Sequence, residues 1–240
     1  MVRRNEQKVA IFEDTMRRCD TVPETEFIFG DIKIEPKPGK CKVKVIDSDT
    51  FTACRPGDVA LNFASGWVPG GGVTKGSTAQ EEDLCRRSSL YRGLTSPEGK
   101  PFYNANHRRP NISTNAMLLS HDVEVIKDKN YDLLRQPFEV DVLTVAAPRL
   151  CDGMPCTQEE LDEILRGRIE ATVKTLAAKG YRRAILGAWG CGAYGNDPVA
   201  VARYFHESLD RYAGYFDEII FAIPLGRRDQ NLYLFSQEFK

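Results

Sequence analysis

The sequence predicts an α/β sandwich, in which helices cover both faces of a mixed, mostly parallel sheet. Segments with the pattern of strands alternate along the chain with segments of helical spacing. Residues 138–147 are nearly continuous in apolar side chains, which is typical of a strand buried on both faces of a sheet. Two glycine-rich stretches each follow an apolar run and precede helical sequence. Such loops lie at the carboxyl ends of strands, where α/β sheets bind ligands.

Length and composition narrow the class of protein. A chain of 240 residues suits one sizeable domain, here expected over 1–240 with an N-terminal helical extension of about residues 1–40. The formal charge of −1 excludes a global basic field that would attract nucleic acid or acidic lipid. Seven cysteines without a short disulfide framework, and no long apolar span, predict an intracellular protein, cytoplasmic or, in a eukaryote, nuclear. The three histidines form no close Cys/His cluster, so no metal is expected.

The individual elements follow from local signals. Thr157 and Glu160 predict a capping box at the start of a long helix, and Gly180 predicts its end. Asp197 and Pro198 predict the first residues of another helix. The remaining elements are predicted as a helix over 3–19, a loop over 24–41, strands over 42–46, 59–63, 123–126, 138–147, 184–186 and 218–224, and a helix over 82–94. Residues 102–109 mix aromatic and basic side chains, which suits either a solvated loop or the border of an acidic polymer.

Residues 62–82 read NFASGWVPGGGVTKGSTAQEE and contain the most informative motif. Three successive glycines, Gly70, Gly71 and Gly72, allow close approach to the main chain, and the helix that follows offers unpaired N–H groups to an anion. Gln80, Glu81 and Glu82 then open that helix. Two carboxylates beside such a loop indicate acid/base chemistry, although Glu81 could instead complete a capping box with Thr78.

Gly-Gly-Gly followed after seven residues by Gln-Glu-Glu resembles the signature of the poly(ADP-ribose) glycohydrolases, and most closely their microbial-type branch. The stretch 188–194, AWGCGAY, resembles the loop that wraps the diphosphate in these enzymes. The resemblance implies a three-layer α/β/α macrodomain and cleavage of ribose–ribose O-glycosidic bonds, from chain ends given the small size of the chain. We expect a monomer that needs no cofactor and no partner protein and that does not associate with a membrane. Its substrate would be poly(ADP-ribose) or an ADP-ribosylated molecule, and its product ADP-ribose.

The resemblance also implies roles for individual residues. Glu82 would protonate the leaving hydroxyl and Glu81 would hold ribose hydroxyls. An acidic residue after an early strand, Asp49 or Asp47, would accept a hydrogen bond from adenine, unless it serves only a turn. The full set of implied ligand contacts is Asn62, Ser65, Gly70, Gly71, Gly72, Val73, Gln80, Gly190, Cys191, Gly192, Ala193, Tyr194, Asn196 and Asp49.

Departures from the family pattern at Ser65, Tyr194 and Arg149 leave the preferred substrate open. Two other functions therefore stay possible at the level of the sequence. One is a macrodomain that binds ADP-ribose without cleaving it. The other is a hydrolase of a different ADP-ribosyl linkage, to a protein, a nucleobase or an acyl group.

Overall fold

A computed structural model describes residues 2–29, 32–226 and 230–240. By its internal contacts the chain divides into two compact units, residues 1–29 with 54–146 and residues 30–53 with 147–240. Both units combine helices with β-strands, so the predicted α/β class is confirmed. That residues 1–240 act as a single domain stays a prediction.

The elements are numbered in chain order. The helices are α1 (Val2–Arg18), α2 (Thr50–Ala53), α3 (Gln80–Arg87), α4 (Leu90–Leu94), α5 (Lys100–His107), α6 (Gln158–Ala178), α7 (Pro198–Tyr212) and α8 (Asn231–Glu238). The strands are β1 (Thr25–Ile28), β2 (Lys42–Ile46), β3 (Val59–Ala64), β4 (Met117–Lys127), β5 (Leu133–Ala146), β6 (Arg183–Leu186) and β7 (Glu218–Ala222). Within the described ranges, no helix combines the length and the apolar character that crossing a membrane requires.

In the first unit the strands lie in the order β1, β4, β5, β3, and only β5 and β3 run parallel. The carboxyl-terminal half of β5 is buried, as its apolar sequence predicts, because it has a strand on each side. Parallel pairing sets Asn62 of β3 beside Thr144 of β5. Two polar side chains, Asn62 and Thr144, therefore lie side by side near the end of β3, just before the loop that begins at Ser65.

In the second unit β7 pairs in parallel with β6 and with β2. The capping box at the start of α6 is confirmed, since Thr157 Oγ1 accepts from the Glu160 N–H and Glu160 accepts from the Thr157 N–H. Asp197 caps α7, as predicted, by accepting a hydrogen bond from the Val199 N–H. The second glycine-rich loop thus runs from the end of β6 to the start of α7.

The predicted single helix over 82–94 is wrong, because it is broken between α3 and α4. Ser88 adopts an extended conformation with φ −150° and forms a bridge with Val125 of β4. Ser89 also exchanges hydrogen bonds with the main chain of Glu124, donating through its N–H and accepting at Oγ. These contacts join residues that are distant in sequence. They stabilise the extended conformation at Ser88 more than the local pattern stabilises a continuous helix.

Two predicted loops contain regular structure. Within 24–41, Thr25–Ile28 form β1, which gains its hydrogen bonds from β4 at the edge of the sheet, while Gly30 and Asp31 lie outside the described residues. Residues 102–107 belong to α5 and not to a solvated loop. Burial of Phe102, Tyr103 and Asn106 stabilises the helix there.

Candidate active site

The first glycine-rich loop connects β3 to α3, and Gln80 fixes the start of that helix. Its side-chain Oε1 accepts a hydrogen bond from the Phe63 N–H at 2.9 Å, and its Nε2 donates to the Leu61 carbonyl at 2.8 Å. The amide thus pairs with the main chain of β3 as a neighbouring strand would. This contact sets the first turn of α3, with its two glutamates, beside the carboxyl end of β3.

Glu81 is buried and held at both carboxyl oxygens. Oε2 accepts from the Ser65 N–H at 2.8 Å, and Oε1 accepts from Asn62 Nδ2 at 3.4 Å. Asn62 Nδ2 also lies 3.2 Å from Thr144 Oγ1, so β5 supports the carboxylate indirectly. The capping-box alternative for Glu81 is wrong, because the N-cap of the helix is Ala79 rather than Thr78 and the Glu81 carboxyl bonds to Ser65 and Asn62 instead.

The environment of Glu81 favours its protonated form. Burial raises the pKa of this carboxyl to about 8, partly offset by the Ser65 N–H and reinforced by the charge of Glu82. A proton is therefore held within the carboxyl pair at neutral pH. The sequence had placed the need for a held proton on Glu82, whereas the raised pKa is found at its neighbour Glu81.

Glu82 faces the glycine loop. Its Oε1 accepts a hydrogen bond from the Gly72 N–H at 2.8 Å. Its Oε2 is buried and has no hydrogen-bond partner in the described part of the chain. A buried carboxyl oxygen without a partner is costly, so it marks a position prepared for a group that the protein itself does not supply.

The glycines of this loop are required by the carboxylates. Gly71 has φ +58°, and a Cβ there would lie 2.5 Å from Glu82 Oε1 and 3.1 Å from Glu81 Oε2. A Cβ at Gly70 would lie 2.7 Å from the ring of Tyr91. Val73 is fully buried beneath the loop. Only glycine at residues 70 and 71 lets the main chain come this close to the two glutamates and the tyrosine.

The second loop, 187–196, is built differently. Gly190 has φ +75°, and a Cβ there would lie 2.7 Å from Asn196 Nδ2. Asn196 is buried and donates from Nδ2 to the Pro148 carbonyl at 2.8 Å and to the Gly190 carbonyl at 3.0 Å. These bonds fix the base of the loop. Asn196 Oδ1 is buried and finds no partner among the described residues.

The tip of the second loop is open. Gly192 and Ala193 are exposed, and a Cβ at Gly192 would meet nothing within 4 Å. Neither N–H donates to any group of the described chain. Tyr194 is half-buried, and its carbonyl accepts a hydrogen bond from the Leu150 N–H at 2.8 Å. The tip therefore presents N–H groups that an anion could use.

Cys191 in this loop is not suited to nucleophilic chemistry. Burial, followed by the charge of Asp197, raises the pKa of its thiol far above the usual range, and Sγ lies 3.5 Å from the Trp189 carbonyl. In the three ranges that the structure describes, no group of three or more His, Cys, Asp or Glu side chains is arranged to hold a metal ion.

Asp49 belongs to the second unit and caps a short helix. Its carboxylate accepts from the Thr52 N–H at 2.9 Å and from the Thr52 hydroxyl at 2.6 Å. Asp47 accepts from the Leu225 N–H at 2.8 Å. The Asp49 contacts agree with the local turn role that the sequence left open, whereas Asp47 bonds to a residue 178 positions away. An adenine contact at Asp49 stays a prediction.

Sequence reasoning missed Thr144 and Tyr91. Thr144 contacts Asn62 only because β3 and β5 are parallel neighbours, a pairing that no local pattern reveals. Tyr91 lies under Gly70, and its ring packs edge-on against Phe12 of α1 with the ring centroids 4.8 Å apart. The sequence placed Tyr91 within the predicted helix over 82–94 without identifying what it contacts.

Comparisons with known proteins agree on one family. The family model described as microbial-type PARG (poly(ADP-ribose) glycohydrolase), catalytic domain, matches residues 7–128. The crystal structure of poly(ADP-ribose) glycohydrolase from Thermomonospora curvata is similar, with 28% identity over 98% of this chain and 100% of that chain, and a TM-score of 0.84. A structure of the same enzyme bound to the inhibitor ADP-HPD has a TM-score of 0.83, with 28% identity and the same coverage of both chains. The enzyme from Deinococcus radiodurans in complex with ADP-ribose is 31% identical over 98% of this chain and 91% of that chain, with a TM-score of 0.77. No curated protein matches significantly.

Proposed function

Because this chain belongs to the family of microbial-type poly(ADP-ribose) glycohydrolases, we propose that it hydrolyses the ribose–ribose O-glycosidic bonds of poly(ADP-ribose) and releases ADP-ribose. The observation that carries this proposal is the carboxyl pair. Glu81 has protein partners at both oxygens, whereas the buried Oε2 of Glu82 has none in the described chain. That oxygen is the group best prepared to meet a substrate atom.

In the proposed reaction one carboxyl serves twice. Glu82 donates a proton to the leaving ribose hydroxyl as the glycosidic C–O bond breaks and an oxocarbenium-like state develops. A water then attacks the anomeric carbon, and Glu82 accepts a proton from it. This cycle returns the carboxylic acid and consumes one water for each bond cleaved.

The proton that Glu82 needs is available within the pair. Glu81 favours its protonated form near neutrality, and the two carboxyls share Gly71 as a neighbour. We propose that Glu81 orients the hydroxyls of the ribose while Asn62 and the Ser65 N–H hold it in place. Two carboxyls so close cannot both ionise easily, which keeps one proton in the site.

The second loop is proposed to bind the diphosphate. Its exposed tip offers the N–H groups of Gly192 and Ala193, which have no acceptor in the described chain. Tyr194 is proposed to pack against a ribose. Contacts of Gly70, Gly72, Val73, Gln80, Gly190, Cys191, Asn196 and Asp49 with the ligand are likewise proposals.

The experiment that tests this function is incubation of the protein with labelled poly(ADP-ribose), followed by separation of the products by size. We expect monomeric ADP-ribose from the start of the reaction, which indicates cleavage at chain ends. Early appearance of shorter polymers would indicate internal cleavage. If the protein binds the polymer and releases no product, it is instead a macrodomain that binds ADP-ribose without cleaving it.

The location and the assembly of the protein are two separate proposals. None of the seven cysteines, all within the described ranges, forms a disulfide bond, as suits a reducing compartment, and we propose an intracellular protein. We also propose that it acts as a monomer. Fractionation of the source cells tests the first point, and light scattering of the purified protein tests the second. Secretion of the protein or a stable dimer would overturn the corresponding statement.

A further inference from the structure

An exposed aromatic surface lies beside the carboxyl pair. We call it the Trp67 platform, and it consists of Trp67, Val68, His107, Arg108 and Arg109. Trp67 is 41% exposed and Val68 is 53% exposed, although both belong to the loop that leads to the three glycines. A large apolar side chain left in water at such a place is unusual enough to require an explanation.

The platform is held in a defined geometry. The Trp67 and Val68 N–H groups both donate to Ser65 Oγ, at 3.2 and 3.1 Å. The Trp67 carbonyl lies 3.1 Å from His107 Nε2, and the two rings contact with their centroids 4.7 Å apart. A flat ring whose main chain is already ordered loses little entropy when a second ring stacks on it.

The same segment holds the catalytic pair. Ser65 accepts the turn hydrogen bonds at its hydroxyl and donates its N–H to Glu81 Oε2 at 2.8 Å. At the other end, the Gly71 N–H donates to the Val68 carbonyl at 3.0 Å, and Gly71 touches Glu82. Trp67 is therefore tied on both sides to residues that contact the two carboxyls.

Positive charge accompanies the ring. Arg108 and Arg109 follow His107 at the carboxyl end of α5, and both are exposed. Neither guanidinium forms an ion pair with any side chain that the structure describes. Since the whole chain has a formal charge of −1, this basic pair is a local feature. An exposed ring in contact with His107, which is followed by these two cations, suits a ligand that carries both a nucleobase and phosphates.

We propose that the Trp67 platform is a second subsite, which binds the neighbouring ADP-ribose unit of the polymer by stacking its adenine on Trp67 and pairing its phosphates with Arg108 and Arg109. The inference rests on the proposed function, because this subsite binds the ADP-ribose unit adjacent to the bond that is cleaved. The platform adds affinity for the polymer that a single ADP-ribosyl group, which leaves the platform empty, does not gain.

Binding to chains of different length tests the proposal. In the Glu82→Gln background, which slows turnover, Trp67→Ala should weaken binding of ADP-ribose oligomers about tenfold, the usual scale for one stacked base. Its affinity for monomeric ADP-ribose should not change. Phe29→Ala is the matched control, because Phe29 is another exposed aromatic of the same unit, at 65% exposure, and should affect neither ligand.

Fluorescence gives a second readout that does not depend on activity. The chain has two tryptophans, and Trp189 is only 1% exposed. Oligomers should protect the exposed Trp67 from a soluble quencher, whereas monomeric ADP-ribose, bound at the loop that contains the buried Trp189, should not. Trp67→Phe should abolish this protection and keep most of the oligomer affinity, because phenylalanine still stacks.

The outcomes separate the two proposals. If the wild-type protein cleaves polymer but Trp67→Ala binds oligomers as well as its parent, the subsite is wrong and the function stands. Equal weakening of oligomer and monomer would also overturn the subsite, because it would place Trp67 in the primary site. If the wild type releases nothing from polymer, the proposed function fails independently of Trp67.

Discussion

The two glycine-rich loops of this protein look alike in sequence but differ in what surrounds them. In the first loop, a Cβ at Gly71 would meet Glu82 Oε1 at 2.5 Å, so glycine makes room for the protein's own carboxyls. In the second loop, a Cβ at Gly192 would meet nothing within 4 Å. A glycine required by its neighbours is needed for the fold of the site, whereas one in open space leaves room for a ligand.

This difference suggests a division of labour. The first loop holds the residues proposed for chemistry, and the second presents main-chain donors proposed for the diphosphate. Substitutions in the first loop should then act mainly on the rate of cleavage, and those in the second mainly on affinity.

The largest effect is expected at Glu82. Glu82→Gln keeps the shape of the side chain but removes the exchangeable proton, so kcat should fall by about 10² to 10⁴. Glu81→Gln should lower kcat less or act partly through binding. Release of ADP-ribose from polymer measures the rate, and calorimetry with free ADP-ribose confirms that each variant still binds. A Glu82→Gln protein with nearly the wild-type rate would place the acid elsewhere.

Gly192→Val should act on binding. The side chain fits without strain, because residue 192 is open, so the melting temperature should not change. It should hinder the approach of phosphate to the N–H groups of the tip, and each lost hydrogen bond to a charged group weakens binding about tenfold or more. Unchanged affinity for ADP-ribose in this folded variant would show that the phosphates bind elsewhere.

Gly71→Ala and Gly57→Ala form a matched pair in the first unit. Both residues have positive φ, +58° and +81°, so each alanine should lower the free energy of unfolding by about 1–2 kcal/mol. Only at Gly71 would the new methyl group meet the carboxyls, since nothing lies within 4 Å of a Cβ at Gly57. Denaturant unfolding and kcat should therefore separate the two variants: Gly71→Ala should lose activity and more stability, whereas Gly57→Ala should lose stability alone. If both variants keep full activity, the position of Glu82 does not depend on Gly71.

The last expected effect concerns the pH dependence of stability. The pKa of Glu81 is raised from 4.5 to about 8, so the folded protein binds this proton more tightly than the unfolded chain. The contribution of Glu81 to stability is therefore greatest below pH 4.5 and is lost as the pH rises to about 8. Across this window the free energy of unfolding of the wild type should fall relative to Glu81→Gln, by on the order of a few kcal/mol. Urea unfolding at both ends of the window measures it, and parallel curves for the two proteins would contradict the burial of a titrating Glu81.

Local signals predicted much of the fold. The capping box of Thr157 with Glu160 and the Asp197–Pro198 start of α7 were correct, because capping depends on residues within one turn. The break at Ser88 could not be predicted in this way, since its partner Val125 lies 37 residues later. Strand β1 was missed for the same reason, because its hydrogen bonds come from β4.

The candidate site was predicted in part. The motif identified both glutamates and the two loops, but it could not tell which oxygens the protein itself would hold. That distinction depends on Ser65, Asn62 and Thr144, which meet Glu81 or one another through parallel pairing of β3 with β5. The role of Trp67 was also hidden, because its contact with His107 spans 40 residues of sequence.

The division of labour between the loops is tested most directly by single-turnover cleavage of labelled polymer at increasing excess of enzyme. At saturating enzyme a defect in binding disappears, whereas a defect in chemistry remains. The account predicts that Gly192→Val approaches the wild-type rate as enzyme concentration rises, and that Glu82→Gln stays slow at every concentration. A Gly192→Val protein that stays slow at saturation, or a Glu82→Gln protein that recovers there, would contradict it.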